Sequence, residues 1–392
     1  MGDAPAAAES PSHGTGARAP AALAAAVLAG LVLLATGCGG STDTAAPSGR
    51  QAIGTSARDL QLVTASEGWV LKDDGLFWVR DATGSARPIT PPSTDAARIS
   101  RVFFRDASHG WAVASSGRGD DGVAFDVFRT TTGGSSWTRT ELVTSPAASA
   151  PSAVDFVDAN HGWLLVGIES SSNFSVAELY RTQNGGATWE RLEAPSGGTV
   201  RFVTATLGFL SGGPAGDKLF VTRDGGTSWQ AVTVDLPQAF SQALPVYGTP
   251  SFKDARTGVL PVTLGGTGAT AVAFYLTSDG GATWTFSALR IVPGTFEQGA
   301  AVASDVVGTD SWVVVAPSGV RVFTTTDRGK TWRVVAPNGL PPGVAKIDFA
   351  TVSRGWGLIS GAECPADQKD SCTFTHDARR TADGGQTWEL LG

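Results

Sequence analysis

The sequence predicts an all-β fold: a seven-bladed β-propeller of four-stranded antiparallel blades. Two recurring phrases and the spacing of their copies predict it. The first phrase is eight residues long and ends in tryptophan: Thr130–Trp137 (TTTGGSSW), Thr182–Trp189 (TQNGGATW), Thr222–Trp229 (TRDGGTSW), Thr277–Trp284 (TSDGGATW), Thr325–Trp332 (TTDRGKTW) and Thr381–Trp388 (TADGGQTW). Its tryptophans lie 52, 40, 55, 48 and 56 residues apart, an interval that marks one supersecondary unit used repeatedly. The second phrase alternates with the first. It runs from an aromatic residue through an acid two positions on to Gly-Trp four beyond, as in Phe104–Trp111 and Phe156–Trp163. Weaker copies end at Gly68-Trp69, Gly208-Phe209, Gly258-Val259, Ser311-Trp312 and Gly355-Trp356, which makes seven.

Each unit then reads as four strands. One precedes the Gly-Trp turn, one follows it, and two flank the tryptophan-capped phrase, as Leu179-Tyr180-Arg181 and Arg333-Val334-Val335 do. Turn chemistry between two such runs specifies a β-hairpin. The carboxylates of Asp224, Asp279, Asp327 and Asp383 and the amide of Asn184 close the turn on backbone two residues ahead, and glycine takes positive φ. Thr132 and Arg328 depart from the pattern, a drift that a turn tolerates and a reactive or metal-binding group does not. A decayed copy near Arg80–Arg87 has its strand, Leu76-Phe77-Trp78, but no closing tryptophan. Eleven of the twelve tryptophans fall in the two phrases, which assigns them to packing at and between blade ends. Seven units of roughly 48 residues match the usual blade count of a propeller.

The tryptophan-capped phrase resembles the Asp-box, or BNR repeat, of sialidase-like propellers. Paired with a Gly-Trp turn, it most resembles the photosystem II assembly-factor type of seven-bladed propeller. The resemblance spans about residues 58–392 and implies an assembly or chaperone-like role, without implying photosynthesis. Hydrolases share the repeat, so fold does not settle function.

Residues 1–37 read as a signal peptide with an apolar stretch at Ala21–Ala35. Leu34–Cys38 resembles a bacterial lipobox, with Cys38 as the lipidated residue. Residues 38–57 form a Gly/Ser/Ala-rich tether. The expected location is extracytoplasmic, held to the membrane by acyl chains. Cys364 and Cys372 share one loop; an oxidising compartment favours a disulfide, and metal binding is the rival. From Cys38 onward the chain has 34 acids and 28 bases, with no basic stripe for nucleic acid. No cofactor or metal site is read, and a monomer is expected.

Variable connections on the face away from the two phrases are the candidate binding loops. Leu236–Gly248 offers Phe240 and Tyr247, and Ile291–Gln298 offers Phe296, either as exposed anchors or as aromatics folded over the core. One residue before each core aromatic, the innermost strands place Gln61, Phe103, Asp155, Arg201, Ser251 and Asp348 on the opposite side. Asp155, Arg201 and Asp348 are the best polar group for a central site; a water-filled channel is the alternative. A sialidase needs an arginine cluster and a tyrosine nucleophile, and Tyr180 and Tyr275 lie in outer strands. A glycosidase needs two carboxylates about 5–9 Å apart. The expectation is a non-catalytic scaffold that binds a cell-envelope protein or peptide, with a glycan-active hydrolase as the alternative.

Overall fold

The computed structural model describes residues 53–392, apart from 81–83, 120–121, 170–175, 267–268, 295–298 and 364–372. Cys38, Phe296, Cys364 and Cys372 lie outside the described residues. Seven antiparallel sheets follow one another along the chain, each a meander from an innermost first strand to an outer fourth. Blade 1 comprises Ala57–Leu62, Glu67–Lys72, Leu76–Arg80 and Ser85–Pro88; blade 3 comprises Ala148–Phe156, Gly162–Ile168, Ala177–Thr182 and Glu190–Glu193. Blades 2, 4, 5, 6 and 7 begin their second strands at Gly110, Gly208, Gly258, Trp312 and Arg354. The Gly-Trp turn joins strands one and two, and the tryptophan-capped phrase joins strands three and four.

Apolar residues collect between blades. Each seam holds at least one such cluster, from Trp69, Ile99 and Phe104 between blades 1 and 2 to Val313, Val322 and Phe349 between blades 6 and 7. The repeated aromatics explain the seam. Trp163 of blade 3 stacks on Phe202 of blade 4 with ring centroids 3.4 Å apart, and Trp229 meets Phe202 edge-on at 6.2 Å. Trp111, Phe156 and Trp189 repeat this arrangement one seam earlier. The indole N–H of Trp163 donates to the carbonyl of Gly225, the first glycine of the next blade's phrase, at 3.0 Å. Arg181 and Arg333 likewise reach the next blade's phrase, at Gly225 and Gly384. Gly225 has φ +74°, and a Cβ there would meet the carbonyl of Ala205 at 2.9 Å, which accounts for glycine.

The turn closes over a longer reach than the sequence predicts. Asp279 Oδ1 accepts from the amides of Ala282 and Thr283, three and four residues ahead, and from the hydroxyl of Thr277. Thr277 in turn receives the amide of Gly281. Arg328 carries φ +62° where its counterparts are glycine, and pairs with Asp310 at 2.5 Å.

Blade 6 corrects the alignment of one phrase. Trp312 pairs with Val306 and Thr325, the register that glycine holds in other blades, as Gly355 does with Phe349 and Thr381. A shift of one residue sends a strand side chain to the other face. Trp312 therefore points back to blade 5, stacking on Phe274 at 4.3 Å.

The ends of the described chain close the ring. Ala378 of blade 7 donates to Gly54 O, Gly54 donates to Leu391 O, and Leu391 donates to Ala378 O. Thr55 bridges Asp377. Ile53 and Leu391 pack with Leu62, Trp356 and Ala378 in the seam between blades 7 and 1. Two chain ends thus occupy the seam of the blade that lacks a closing tryptophan. Residues 53–55, assigned above to a tether, belong to the ring.

Candidate functional site

Alternation along the innermost strands turns one residue of each blade toward the channel. These are Gln61, Phe103, Asp155, Arg201, Ser251, Asp305 and Asp348, each opposite a residue of its own second strand. Asp305 escapes sequence alignment because Val306 stands where the other blades mostly carry an aromatic and because Trp312 occupies the place that glycine holds elsewhere, so that aligning on Gly-Trp misses the register by one residue. Counting back from the phrase of blade 6 by strand pairing rather than by Gly-Trp finds it.

Most of these side chains cross to the next blade. Asp155 Oδ2 accepts the amide of Phe202 at 2.6 Å, Asp305 that of Phe349 at 2.6 Å, and Asp348 that of Leu62 at 3.1 Å. Gln61 does the same for Phe104 at 3.2 Å and also holds the Trp69 indole at 3.0 Å. The acceptor thus binds the backbone of the next innermost strand, one position past its channel residue. The bond from Asp348 to Leu62 closes this latch across the ring junction.

Arg201 meets Asp155 at 3.2 Å, its side chain half exposed and that of Asp155 buried. Burial raises the Asp155 pKa, opposed by Arg201 and by the Phe202 and Phe156 amides. Asp348 stands apart from this pair. Among the described residues no hydrogen bond or ion pair joins it to either, so the predicted group of three divides into an ion pair and a carboxylate that feels the Arg201 charge without touching it. Beside Asp348, Lys346 binds Asp59 at 2.8 Å and the carbonyl of Leu60 at 2.7 Å. Burial raises the Asp348 carboxyl. Burial and then the neighbouring Asp348 push Asp305 up to about 7.

One mouth of the channel opens as a cavity of about 260 Å³ lined by Arg105, Arg201, Asp155, Phe103, Ser251 and Pro250, among others. Its walls suit polar contacts with an extended chain or small polar molecule. Among the described residues no three His, Cys, Asp or Glu side chains group as metal ligands, and no helix is long and apolar enough to cross a membrane.

The proposed aromatic anchors are corrected. Phe240 lies in a 3-10 turn, Gln238–Phe240, and Tyr247 ends a strand, Leu244–Tyr247, that pairs with the second strand of blade 5. They are 9 % and 8 % exposed, packed in one cluster with Leu264 and Tyr275. Burying these rings extends the seam between blades 4 and 5, leaving neither available as an exposed anchor.

No family model matches the chain, and no curated protein matches it. Solved structures do. A structure described as YCF48 bound to D1 peptide is 15 % identical over 84 % of this chain and 92 % of that one, with a TM-score of 0.52. U3-55K is 11 % identical over 83 % of this chain and 97 % of that one, with a TM-score of 0.51. The GH74 enzyme of Niastella koreensis is 11 % identical over 87 % of this chain and 80 % of that one; its TM-score of 0.32 carries no argument about activity. At these identities the likeness concerns the fold alone.

Proposed function

We propose that this chain is a non-catalytic propeller that binds a protein or peptide of the cell envelope and carries it during assembly. The observation that supports it most is the use made of the channel acids. Asp155, Asp305 and Asp348 each hold the next blade's backbone, and the repeated acids hold their own turns. The conspicuous carboxylates thus have ring-building tasks. The resemblance of the phrases to Asp-box propellers supports the reading, as does a fold neighbour that was solved with a peptide bound. Cys38 as a lipidated residue would hold the domain to the membrane outside the cytoplasm.

The rival reading, a glycan hydrolase, draws on Asp305 beside Asp348, one carboxyl titrating near neutrality next to another. Crosslinking in intact cells followed by recovery of the chain tests the first reading, which expects one envelope polypeptide at near-equal amount. Glycoside turnover lost in both Asp305→Asn and Asp348→Asn, with no polypeptide recovered, would establish the rival.

A further inference from the structure

Between the outer hairpin of blade 1 and blade 2 lies a cavity of about 420 Å³. Glu67, Trp78, Arg80, Arg87, Ser108 and Thr132 help to line it. Strand register puts the blade 1 residues on one face: Glu67 pairs with Arg80, Arg80 with Ser85, and Trp78 with Arg87. Glu67 holds the Trp78 indole at 3.0 Å and Arg80 Nε at 3.0 Å. The terminal nitrogens of Arg80 have no partner among the described residues. Arg87 spends one nitrogen on the carbonyl of Gly133, at 2.7 Å. Among the described residues lining the cleft, two guanidinium groups therefore face one carboxylate.

The opposite wall removes a charge that the repeat would otherwise supply. Asn184, Asp224, Asp279, Asp327 and Asp383 hold the turn position in their blades; the phrase bordering this cleft has Thr132. Thr132 still closes the turn, its hydroxyl accepting the amide of Ser136 at 2.9 Å. Asp106, close by on the blade 2 side, is held by Arg105 at 2.6 Å and His109 at 2.9 Å. Loss of the aspartate and an excess of guanidinium thus coincide at one seam.

We propose that this cleft binds a carboxylate of an acidic peptide, with Arg80 and Arg87 as the recognising forks and the Ser108 hydroxyl as a further donor. The inference rests on the peptide-binding reading and names one chemistry for it. Arginine presents paired donors that match a carboxylate, and a cleft with low-dielectric walls strengthens the contact.

The test uses the chain from residue 38 onward and a fluorescein-labelled hexaglutamate peptide, read by polarisation at low salt, with hexaglutamine as the neutral probe. Hexaglutamate should bind at least about tenfold more tightly than hexaglutamine, a discrimination expected of charge-assisted contacts. Thr132→Asp restores the repeat's own residue, so it should fold at least as well as wild type yet weaken hexaglutamate at least about tenfold through like-charge repulsion. Arg80→Gln should do the same while its melting temperature stays near wild type, because the exposed pair with Glu67 contributes little to stability. Unchanged binding in both variants would overturn the cleft while leaving peptide binding itself intact. Displacement by inorganic phosphate at matched ionic strength would overturn the carboxylate assignment and show a general oxyanion site. Recovery of an envelope partner together with no hexaglutamate binding would also sink the cleft but not the proposed function.

Discussion

The amide of Ala378 donates to the carbonyl of Gly54 at 2.7 Å, tying the last blade to residues ahead of the first. Ring closure here is a three-way exchange among Gly54, Ala378 and Leu391 rather than a complete strand lent by one end. Leu391 is fully buried. Leu391→Ala should cost about 2–4 kcal/mol, the range for truncating a buried leucine whose cavity cannot collapse. A valine at Gly54 should cost at least as much, because its Cβ would meet Ala378 O and would lie 2.8 Å from Leu391 N. Urea titration checks both. A loss under about 0.5 kcal/mol in each would show that the junction does not hold the ring.

Trp163 and Trp312 make opposite predictions from the same residue type. The Trp163 indole donates to Gly225 at 3.0 Å, whereas the buried Trp312 N–H has no partner among the described residues. Phenylalanine removes the same volume and the same N–H from each. Only Trp163→Phe gives up a hydrogen bond; Trp312→Phe relieves a desolvated donor. Trp163→Phe should therefore be the more destabilising by roughly 1–3 kcal/mol. Equal losses by chemical denaturation would contradict the register shift of blade 6.

Much of this fold was legible in the sequence, and the reason is repetition. A turn needing glycine at positive φ and a tryptophan over the blade end fixes residue types wherever it recurs, so Asp224 and Trp229 announce themselves. The channel was legible by alternation, which located Asp155, Arg201 and Asp348. What alternation lacks is a record of small register changes. A tryptophan one position earlier in an unchanged blade 6 turn hid Asp305 and turned Trp312 to the other face. Phe240 and Tyr247 failed differently. A segment without periodicity still packs when the neighbouring seam has room, and composition does not report that room. Ring closure depended on contacts between chain ends, which no local pattern encodes.

The turn residue of the phrase tolerates an amide but not its loss. Asn184 Oδ1 accepts the Thr188 amide at 2.9 Å, as Asp224 Oδ1 accepts that of Ser228 at 2.9 Å. Asp224→Asn should thus be nearly neutral near pH 7. Asp224→Ala abandons the Ser228 amide and the hydroxyls of Ser228 and Thr222, and should cost about 1 kcal/mol, discounted for exposure. Thermal melts of the two variants side by side decide it. Equal destabilisation would mean that charge, rather than hydrogen bonding, matters there.

Charge does matter to pH dependence, and the turn acids and channel acids act in opposite directions. Hydrogen bonds, chiefly from the hydroxyls of Ser228 and Thr331, hold Asp224 and Asp327 down to about 2. Their contribution is present above the unfolded carboxylate pKa, about 4, and is lost as pH falls toward 2. Asp305 is pushed up to about 7, so folding favours its protonated form. Its contribution is complete below pH 4 and is lost as pH rises through 7. Asp348 pulls in the same direction. Stability should rise from pH 2 to 4 and then decline toward 7 to the extent these two acids set the slope. Asp305→Asn keeps an acceptor for the Phe349 amide while removing the charge. It should stabilise the ring at pH 7.5 by on the order of 1 kcal/mol more than at pH 4.5. Melting curves at the two values give the answer. An asparagine variant equally shifted at both would mean that the Asp305 carboxylate does not titrate in this interval, and the opposition between turn and channel would fail.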